Sequence, residues 1–434
     1  MQLYSIFQQH PFICTDSRVC TQGALFFALK GDNFNANAFA YKALENGCAY
    51  AIIDEPEYAT DERFIVVDNV LDSLQQLAKF HRKQLNTTIL GITGTNGKTT
   101  TKELIASVLG VKYNILYTKG NLNNHIGVPL TLLQLKPEHE IAIIEMGANH
   151  PGEIKTLVEI ACPDYGIITN VGKAHLEGFG SFEGVMNTKA ELYDFIAANG
   201  KLIFINSENE LLKKMAEKSG LNNSGDRIEY CLTENDSTAS VTGKITNGSP
   251  FLNMQCSTEK GTVFDANTKL IGIYNAENIL AAASIGNFFG LTNTEIKKGL
   301  EDYQPTNNRS QFIETLENKL VVDTYNANPT SMKAAIQNFA QINAKNKTLI
   351  LGDMLELGNY SPVEHQSIVD LIKEMKFESV YLVGKEFKQT ENNFKSFEAL
   401  TEAINFLNLH PIKNNYILIK GSRGIQLEKV IGIL

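Results

Sequence analysis

The sequence predicts an α/β protein in three parts, 1–85, 86–308 and 309–434, with parallel sheets in the second and third. Three observations carry that expectation. At 434 residues the chain is too long for one ordinary domain, and about 150 residues each gives roughly three. Short apolar runs alternate with helical stretches along most of it, which is the pattern of βαβ units. The polar, proline-containing stretch QPTNNRSQF (304–312) reads as a linker into the third part.

Taken in order, the first part holds short strands and helices and ends in LDSLQQLAKFHRKQL (71–85). There Leu71, Leu74, Leu77, Ala78 and Leu85 recur at helical spacing. The second part opens on the strand TTILGIT and continues through IAIIEMG (141–147), YGIITNVG (165–172) and KLIFINS (201–207). A run of short alternating segments, about 226–273, predicts an antiparallel insertion. In the third part the strands are KLVVD (319–323), TLILGD (348–353), SVYLVG (379–384) and YILIKG (416–421). No repeat or low-complexity tract interrupts them.

Composition narrows the function. The net charge is −9, so the chain has no global electrostatic reason to bind nucleic acid or an anionic membrane, and any phosphate must be held locally. No apolar stretch approaches 18 residues, and the N-terminus MQLYSIFQQH lacks a basic start and an apolar run. Cys14, Cys20, Cys48, Cys162, Cys231 and Cys256 include no C-x-x-C pair and read as reduced thiols, most of them core. These features predict a cytoplasmic protein.

The stretch LGITGTNGKTTTKELIASVLG (90–110) places a strand, a glycine turn and a helix in succession. The general signature G-x-x-x-x-G-K-[ST] needs a glycine where Ile92 stands, which leaves the shorter G-x-x-G-K-T from Gly94 to Thr99. Backbone N–H groups and the helix dipole point into such a turn and suit phosphate. Lys98 would reach the β/γ-phosphates, and a threonine hydroxyl after it would bind Mg²⁺. Leu104, Ile105, Val108 and Leu109 keep one face of the helix apolar.

Other candidates stand at strand ends. Glu145 closes the run Ile141–Ile144, where a carboxylate could hold Mg²⁺ beside the γ-phosphate. Pro151, in GANHPGEI, is placed for a helix start. His175 and Glu177 follow the strand Ile167–Thr169. In FEGVMNTKAELYDFIA (182–197), Phe182, Val185, Lys189, Tyr193 and Ile196 fall on one helical face. A lysine on such a stripe snorkels, pairs or is chemically changed.

These residues together resemble the Mur ligases, ATP-dependent amide-forming enzymes of bacterial cell-wall synthesis, over essentially the whole chain. TGTNGKTT (93–100) is shared by that superfamily. NLNNHIGVPLTLL (121–133), EMGANHPGEI (145–154), AHLEGFGS (174–181), DTYNANPTSM (323–332), GDMLELG (352–358) and KGSRG (420–424) match more specifically, as does TDSR followed by GALFFALKGDNF. The resemblance implies a small N-terminal α/β uridine-nucleotide domain, a central P-loop-type parallel-sheet ATPase domain with an antiparallel insertion, and a C-terminal Rossmann-like α/β ligase domain. It implies joining of D-alanyl-D-alanine to UDP-N-acetylmuramoyl-tripeptide by a monomer, with ATP and Mg²⁺.

By the same resemblance, Gly94, Thr95, Asn96, Gly97, Lys98, Thr99 and Thr100 would hold the ATP phosphates. Thr99 and Glu145 would bind one Mg²⁺, and His175 a second with a carbamylated Lys189. Asn278 in YNAENILAA falls where an asparagine contacts adenine, and Arg309 and Asp323 match residues that engage ATP from the linker and third domain. Ser17 and Arg18 match the UDP-sugar site. Asn123, Asn124, Asn326, Asn328, Lys420 and Ser422 are the remaining substrate-binding candidates. Two positions depart from the pattern: Tyr274 stands where histidine is usual, and Asn35-Ala36-Asn37 stands where D-G-H is common.

The implied chemistry is activation of a carboxylate as an acyl phosphate, followed by attack of an amine. Folylpolyglutamate synthetase shares the loop and that route but lacks the DTYNANP stretch and the uridine-type first domain. A nucleotide-dependent switch without ligase activity would not need Lys98, Glu145, His175 and Lys189 together. The sequence leaves open whether the third peptide residue is lysine or a diaminopimelate.

Overall fold

The computed structural model describes residues 2–233, 239–258, 262–306 and 308–434. Three larger sheets follow one another along the chain. The first has four parallel strands in the order Ile13–Cys14, Leu25–Phe27, Tyr50–Ile53, Phe64–Val66. After it, the helix Val70–Lys83 starts at Asn69, whose side chain accepts from Asp72 N at 2.9 Å, and ends in Arg82 and Lys83, whose charges suit the negative end of the helix dipole. Its Leu74, Leu77 and Ala78 are buried in a core that runs without a break from Phe7 and Leu25 to Leu132, Ile154 and Leu192. The first part is thus fused to the second by a shared apolar core.

The central sheet has nine strands. Five parallel strands run Ile115–Tyr117, Ile141–Glu145, Thr88–Thr93, Tyr165–Ile168, Leu202–Asn206, and Arg227–Cys231 and Val241–Asn247 continue in parallel. Only Asn253–Thr258 and Val263–Asn267 pair antiparallel. The antiparallel insertion expected over 226–273 is therefore an extension of the same sheet, and its first strand is parallel. Buried and half-buried positions alternate over Asn253–Thr258, as on a half-solvated sheet. From Thr88–Thr93 the chain fills positions on one side first and then on the other, so the strand order reverses at the carboxyl end of Thr88–Thr93, where α/β sheets bind ligands.

The third sheet runs Gln311–Glu314, Lys319–Asp323, Tyr416–Lys420, Lys347–Gly352, Ser379–Val383, Lys395–Phe397, all parallel except the first pair. The last residues of the stretch read as a linker are thus an edge strand, while Asn307 lies outside the described residues. Helix Pro329–Gln341 begins with Asn328 as cap and Pro329 in its first turn.

Three local expectations need correction. Cys14 and Cys20 are joined as a disulfide, not reduced thiols, with Cα atoms 5.5 Å apart. Asp16 accepts from the Arg18 N–H at 3.0 Å and folds the intervening turn back on itself, which brings Cys20 to the end of the first strand. Pro151 does not open a helix: Glu153–Ala161 starts two residues later, after Gly152, and the Glu153 carboxylate caps the N–H groups of Asn149 and His150. Phe182 leaves the apolar stripe, being 39% exposed at the first turn of Phe182–Asn199, whereas Val185, Tyr193 and Ile196 are buried.

Candidate active site

The glycine turn sits where the strand order reverses. Gly94 has φ +144°, and a Cβ there would lie 2.0 Å from Thr169 Oγ1; Gly97 has φ +77° and caps the helix Lys98–Leu109. The turn is tied to the next strand end. Thr95 N donates to Asn170 O at 2.9 Å, Asn96 N to Asn170 Oδ1 at 3.0 Å, and Thr169 Oγ1 to Asn96 O at 2.6 Å. Lys98 curls back, its ammonium donating to Gly94 O at 2.7 Å and Thr95 O at 3.0 Å. Burial lowers its pKa to about 8, which Glu145 opposes and Arg309 reinforces.

Glu145 lies 1% exposed beneath the turn. Thr99 Oγ1 donates to it at 3.0 Å, Asn123 Nδ2 at 2.9 Å, and its own N–H is held by Thr118 Oγ1 at 3.0 Å. Lys102 Nζ stands 3.5 Å from Glu145 Oε2, fully buried and with no hydrogen-bond partner. This lysine was missed in the sequence. Ile105 and Leu109, three and seven residues on, place it on the apolar stripe, the same signal that singled out Lys189.

The turn opens on a cavity of about 920 Å³ whose wall comes from all three parts. Leu71 and Gln75 of Val70–Lys83 contribute from the first; Thr100, Asn123, Asn124 and His175 from the second; Arg309, Asp323, Asn326, Asn328 and Lys420 from the third. Asp323 receives Lys420 Nζ at 2.5 Å, and Lys420 also reaches Asn326 O at 3.3 Å. The Arg309 guanidinium lies 3.5 Å from the centre of the Tyr325 ring. Asn328 Nδ2 donates to Asn96 Oδ1 at 2.7 Å, a direct bond between the third part and the phosphate turn. Asn124 mostly shapes its own loop, accepting from Gly127 N at 2.8 Å.

Other candidates are placed less directly. His175, at φ +49°, has Nδ1 2.5 Å from the Glu356 carboxylate of the third part. Lys189 is 3% exposed, which rules out snorkelling, and its amine lies 5.7 Å from the Phe179 ring. Burial, and then the charge of Lys98, hold its pKa down at about 7. The Asn278 side chain is occupied under the turn, accepting from Thr101 Oγ1 at 2.9 Å and donating to Asn275 at 2.8 Å, while still lining the cavity. Ser422 does not line the cavity: it is buried and braces Leu355 N at 3.0 Å. Ser17 and Arg18 also lie outside it, in the first part, where Arg18 pairs with Asp16 at 2.6 Å.

The two departures find structural roles. Asn37 is fully buried, donating to Asn35 at 2.8 Å and Asp54 at 2.9 Å, while Lys30 bridges Asp54 and Glu55. Tyr274 lines the cavity, and its hydroxyl bonds Ser310 Oγ at 2.9 Å, next to Arg309.

This geometry can hold a polyphosphate on the turn and bring cations from a second sheet over it. Residues 92–286 match the Mur ligase middle domain, and residues 308–423 match the Mur ligase glutamate ligase domain. The chain is 36% identical over 432 residues to the UDP-N-acetylmuramoyl-tripeptide–D-alanyl-D-alanine ligase of Bacillus subtilis, covering 96% of this chain and 92% of the relative. It superposes on a crystal structure of MurF from Acinetobacter baumannii with a TM-score of 0.85 at 33% identity, covering 97% and 92% of the two chains. With MurF ligase from Thermotoga maritima in complex with ADP the TM-score is also 0.85, at 25% identity and with 97% and 96% covered. With both family models matched in order and a relative this similar over nearly its full length, the chain belongs to the Mur ligase family.

Proposed function

We propose that this Mur ligase joins D-alanyl-D-alanine to the C-terminal carboxylate of UDP-N-acetylmuramoyl-tripeptide, with ATP converted to ADP and phosphate, as a cytoplasmic step of peptidoglycan precursor synthesis. The observation that carries the reading is the shared cavity. The phosphate turn of the central sheet and the Arg309, Asp323 and Lys420 cluster of the third part face one space. The name of the B. subtilis relative supplies the substrates. Residues 1–85 are assigned to the UDP-sugar, 86–308 to ATP, and 309–434 to completing the site, with Ser17 and Arg18 contacting the UDP-sugar.

A carboxylate is a poor electrophile. Transfer of the γ-phosphoryl group makes it an acyl phosphate, the free amine of the dipeptide attacks the carbonyl carbon, and phosphate leaves from the tetrahedral intermediate. Such transfer needs positioning and positive charge more than covalent help. The turn Gly94–Thr100 cradles the phosphates, with the N–H groups at the start of the helix Lys98–Leu109 as donors, and Lys98 turns from its own loop carbonyls onto the β/γ-phosphates. Arg309 and Lys420 add charge from the other side, and closing of the third part keeps water from the acyl phosphate.

The donor set suits Mg²⁺. Thr99 Oγ1 and the Glu145 carboxylate converge within 3.0 Å, as hard oxygen ligands do, and His175 Nδ1 is held against the Glu356 carboxylate at 2.5 Å. Thr99 and Glu145 would hold one ion, and His175 with a carbamylated Lys189 a second. Bound there, Mg²⁺ supplies charge to the transferring phosphoryl group. The reading is tested by ADP release measured with each substrate omitted in turn, using lysine and diaminopimelate tripeptides. ADP formed equally without D-alanyl-D-alanine or without the tripeptide would overturn it.

A further inference from the structure

Three cysteine sulfurs converge in the first part, two from one turn and the third from about thirty residues on. The Sγ atoms of Cys14, Cys20 and Cys48 lie within 4.8 Å of one another, and among the described residues no other group of three His, Cys, Asp or Glu side chains brings its ligand atoms together in this way. Cys14 closes the first strand, Cys20 ends the turn that follows it, and Cys48 precedes the strand Tyr50–Ile53. Cys14 and Cys48 are 7% and 4% exposed, Cys20 half-buried. We propose that in the reduced protein these three cysteines form a thiolate site for one soft divalent cation, with Zn²⁺ as the probe ion.

The distances fit. Zinc–thiolate bonds of about 2.3 Å in a tetrahedron put sulfurs about 3.8 Å apart, so the separations need adjusting by about 1 Å for Cys48 and by opening of the Cys14–Cys20 bond. Soft thiolates select Zn²⁺ over the Mg²⁺ that suits the oxygen donors of the cavity.

The steps balance. A dithiol or phosphine reductant delivers two electrons to the Cys14–Cys20 bond, two protons complete the thiols, and the reductant is oxidised. Zn²⁺ then displaces one proton from each of three thiols, leaving the fourth position to water. The ion would clip the turn 15–19 to the strand that follows Cys48. Asn46 Nδ2 already donates to Ser17 O at 2.7 Å across the same gap.

The test uses the full-length protein, reduced by a phosphine without oxygen, stripped of metal, and kept in excess Mg²⁺ so that the oxygen sites are filled. Co²⁺ is added and the thiolate-to-cobalt charge-transfer absorption, whose intensity counts the thiolates, is read and then competed with Zn²⁺. The expected result is one equivalent bound with the intensity of three thiolates. Binding should weaken at least about 10-fold in Cys48→Ser and in Cys20→Ser and stay unchanged in Cys162→Ser. Because Cys48→Ser could unfold the first part, alkylation of the wild-type protein is followed by mass spectrometry in parallel, and Zn²⁺ should protect Cys14, Cys20 and Cys48 but not Cys162. Absence of the charge-transfer band, a band unchanged in both variants, or equal alkylation with and without Zn²⁺ would overturn the proposal.

Discussion

Lys98 and Lys102 stand one helical turn apart and do different work. Lys98 has two carbonyl acceptors on its own loop and is free to exchange them for phosphate. Lys98→Ala should leave the circular dichroism and melting temperature near those of wild type while ADP release falls by about 10²-fold or more, the scale of losing one donor to a developing charge. Lys102 is buried with no hydrogen-bond acceptor, facing Glu145 at 3.5 Å. A charge so placed costs stability and is kept for orientation. Lys102→Met leaves Glu145 buried without its cation, so it should melt below wild type and lose about 10- to 100-fold in activity, with a raised Mg²⁺ requirement. Wild-type kcat and Mg²⁺ dependence in that variant would refute the positioning role. Gly94→Ala should fail differently, because its Cβ would meet Thr169 Oγ1 at 2.0 Å in a backbone region closed to other residues. A loss of about 1–3 kcal/mol in denaturant unfolding is expected together with loss of nucleotide binding.

Among the elements, two further helices carry polar groups on faces otherwise apolar. In Phe182–Asn199, Lys189 shares its face with Val185, Tyr193 and Ile196, and burial leaves much of its amine neutral and able to attack CO₂. The carbamate is an anion that needs a cation, which Mg²⁺ shared with His175 would supply. Lys189→Ala should lose most activity, by about 10- to 100-fold, and acetate or formate should restore part of it by filling the gap. No rescue together with near-normal turnover would remove carbamylation from the account. In Val70–Lys83, His81 packs into the shared core, its Nε2 3.0 Å from Leu135 O. Burial holds its folded pKa below the ordinary 6.5, so the unfolded chain binds the proton more readily. The stability this provides is present above about pH 6.5 and is lost as pH falls through the lower folded value. Melting temperatures from pH 7 to 5 should fall less steeply in His81→Gln than in wild type; parallel slopes would contradict this.

At the scale of the molecule, the two junctions differ in kind. The first and central parts share one apolar core, whereas the third part meets the central one across a polar cavity. Its apolar anchor is at one side, where Ile271 joins the third core and the Phe251 and Phe312 rings stand 5.5 Å apart. On the cavity side the links include Asn96–Asn328, His175–Glu356, Tyr274–Ser310 and the half-exposed pair Lys173–Glu364 at 2.9 Å, the last worth about 1 kcal/mol. Such a boundary suits hinge motion of the third part about its Phe251 side. X-ray scattering should show a smaller radius of gyration with ATP analogue and tripeptide than without, and less compaction at high salt in their absence. Superimposable profiles in all conditions would argue against closure.

What the sequence determined by itself was whatever depends on local order. The strand KLVVD is Lys319–Asp323 as read, the glycine turn leads into its helix, and Glu145 ends its strand, because apolar runs, glycines with positive φ and helix caps act within a few residues. The short strands Gln311–Glu314 and Lys395–Phe397 escaped, since edge strands of three or four residues owe their pairing to a neighbour and not to their own pattern. Only the tertiary structure decided which side chains meet across long separations. It set Lys102 against Glu145, turned Ser422 into a brace, paired His175 with Glu356 and brought Cys48 beside Cys14 and Cys20. The physical reason is that each of these contacts is fixed by how separate elements pack, and neither spacing nor composition records where two elements will touch.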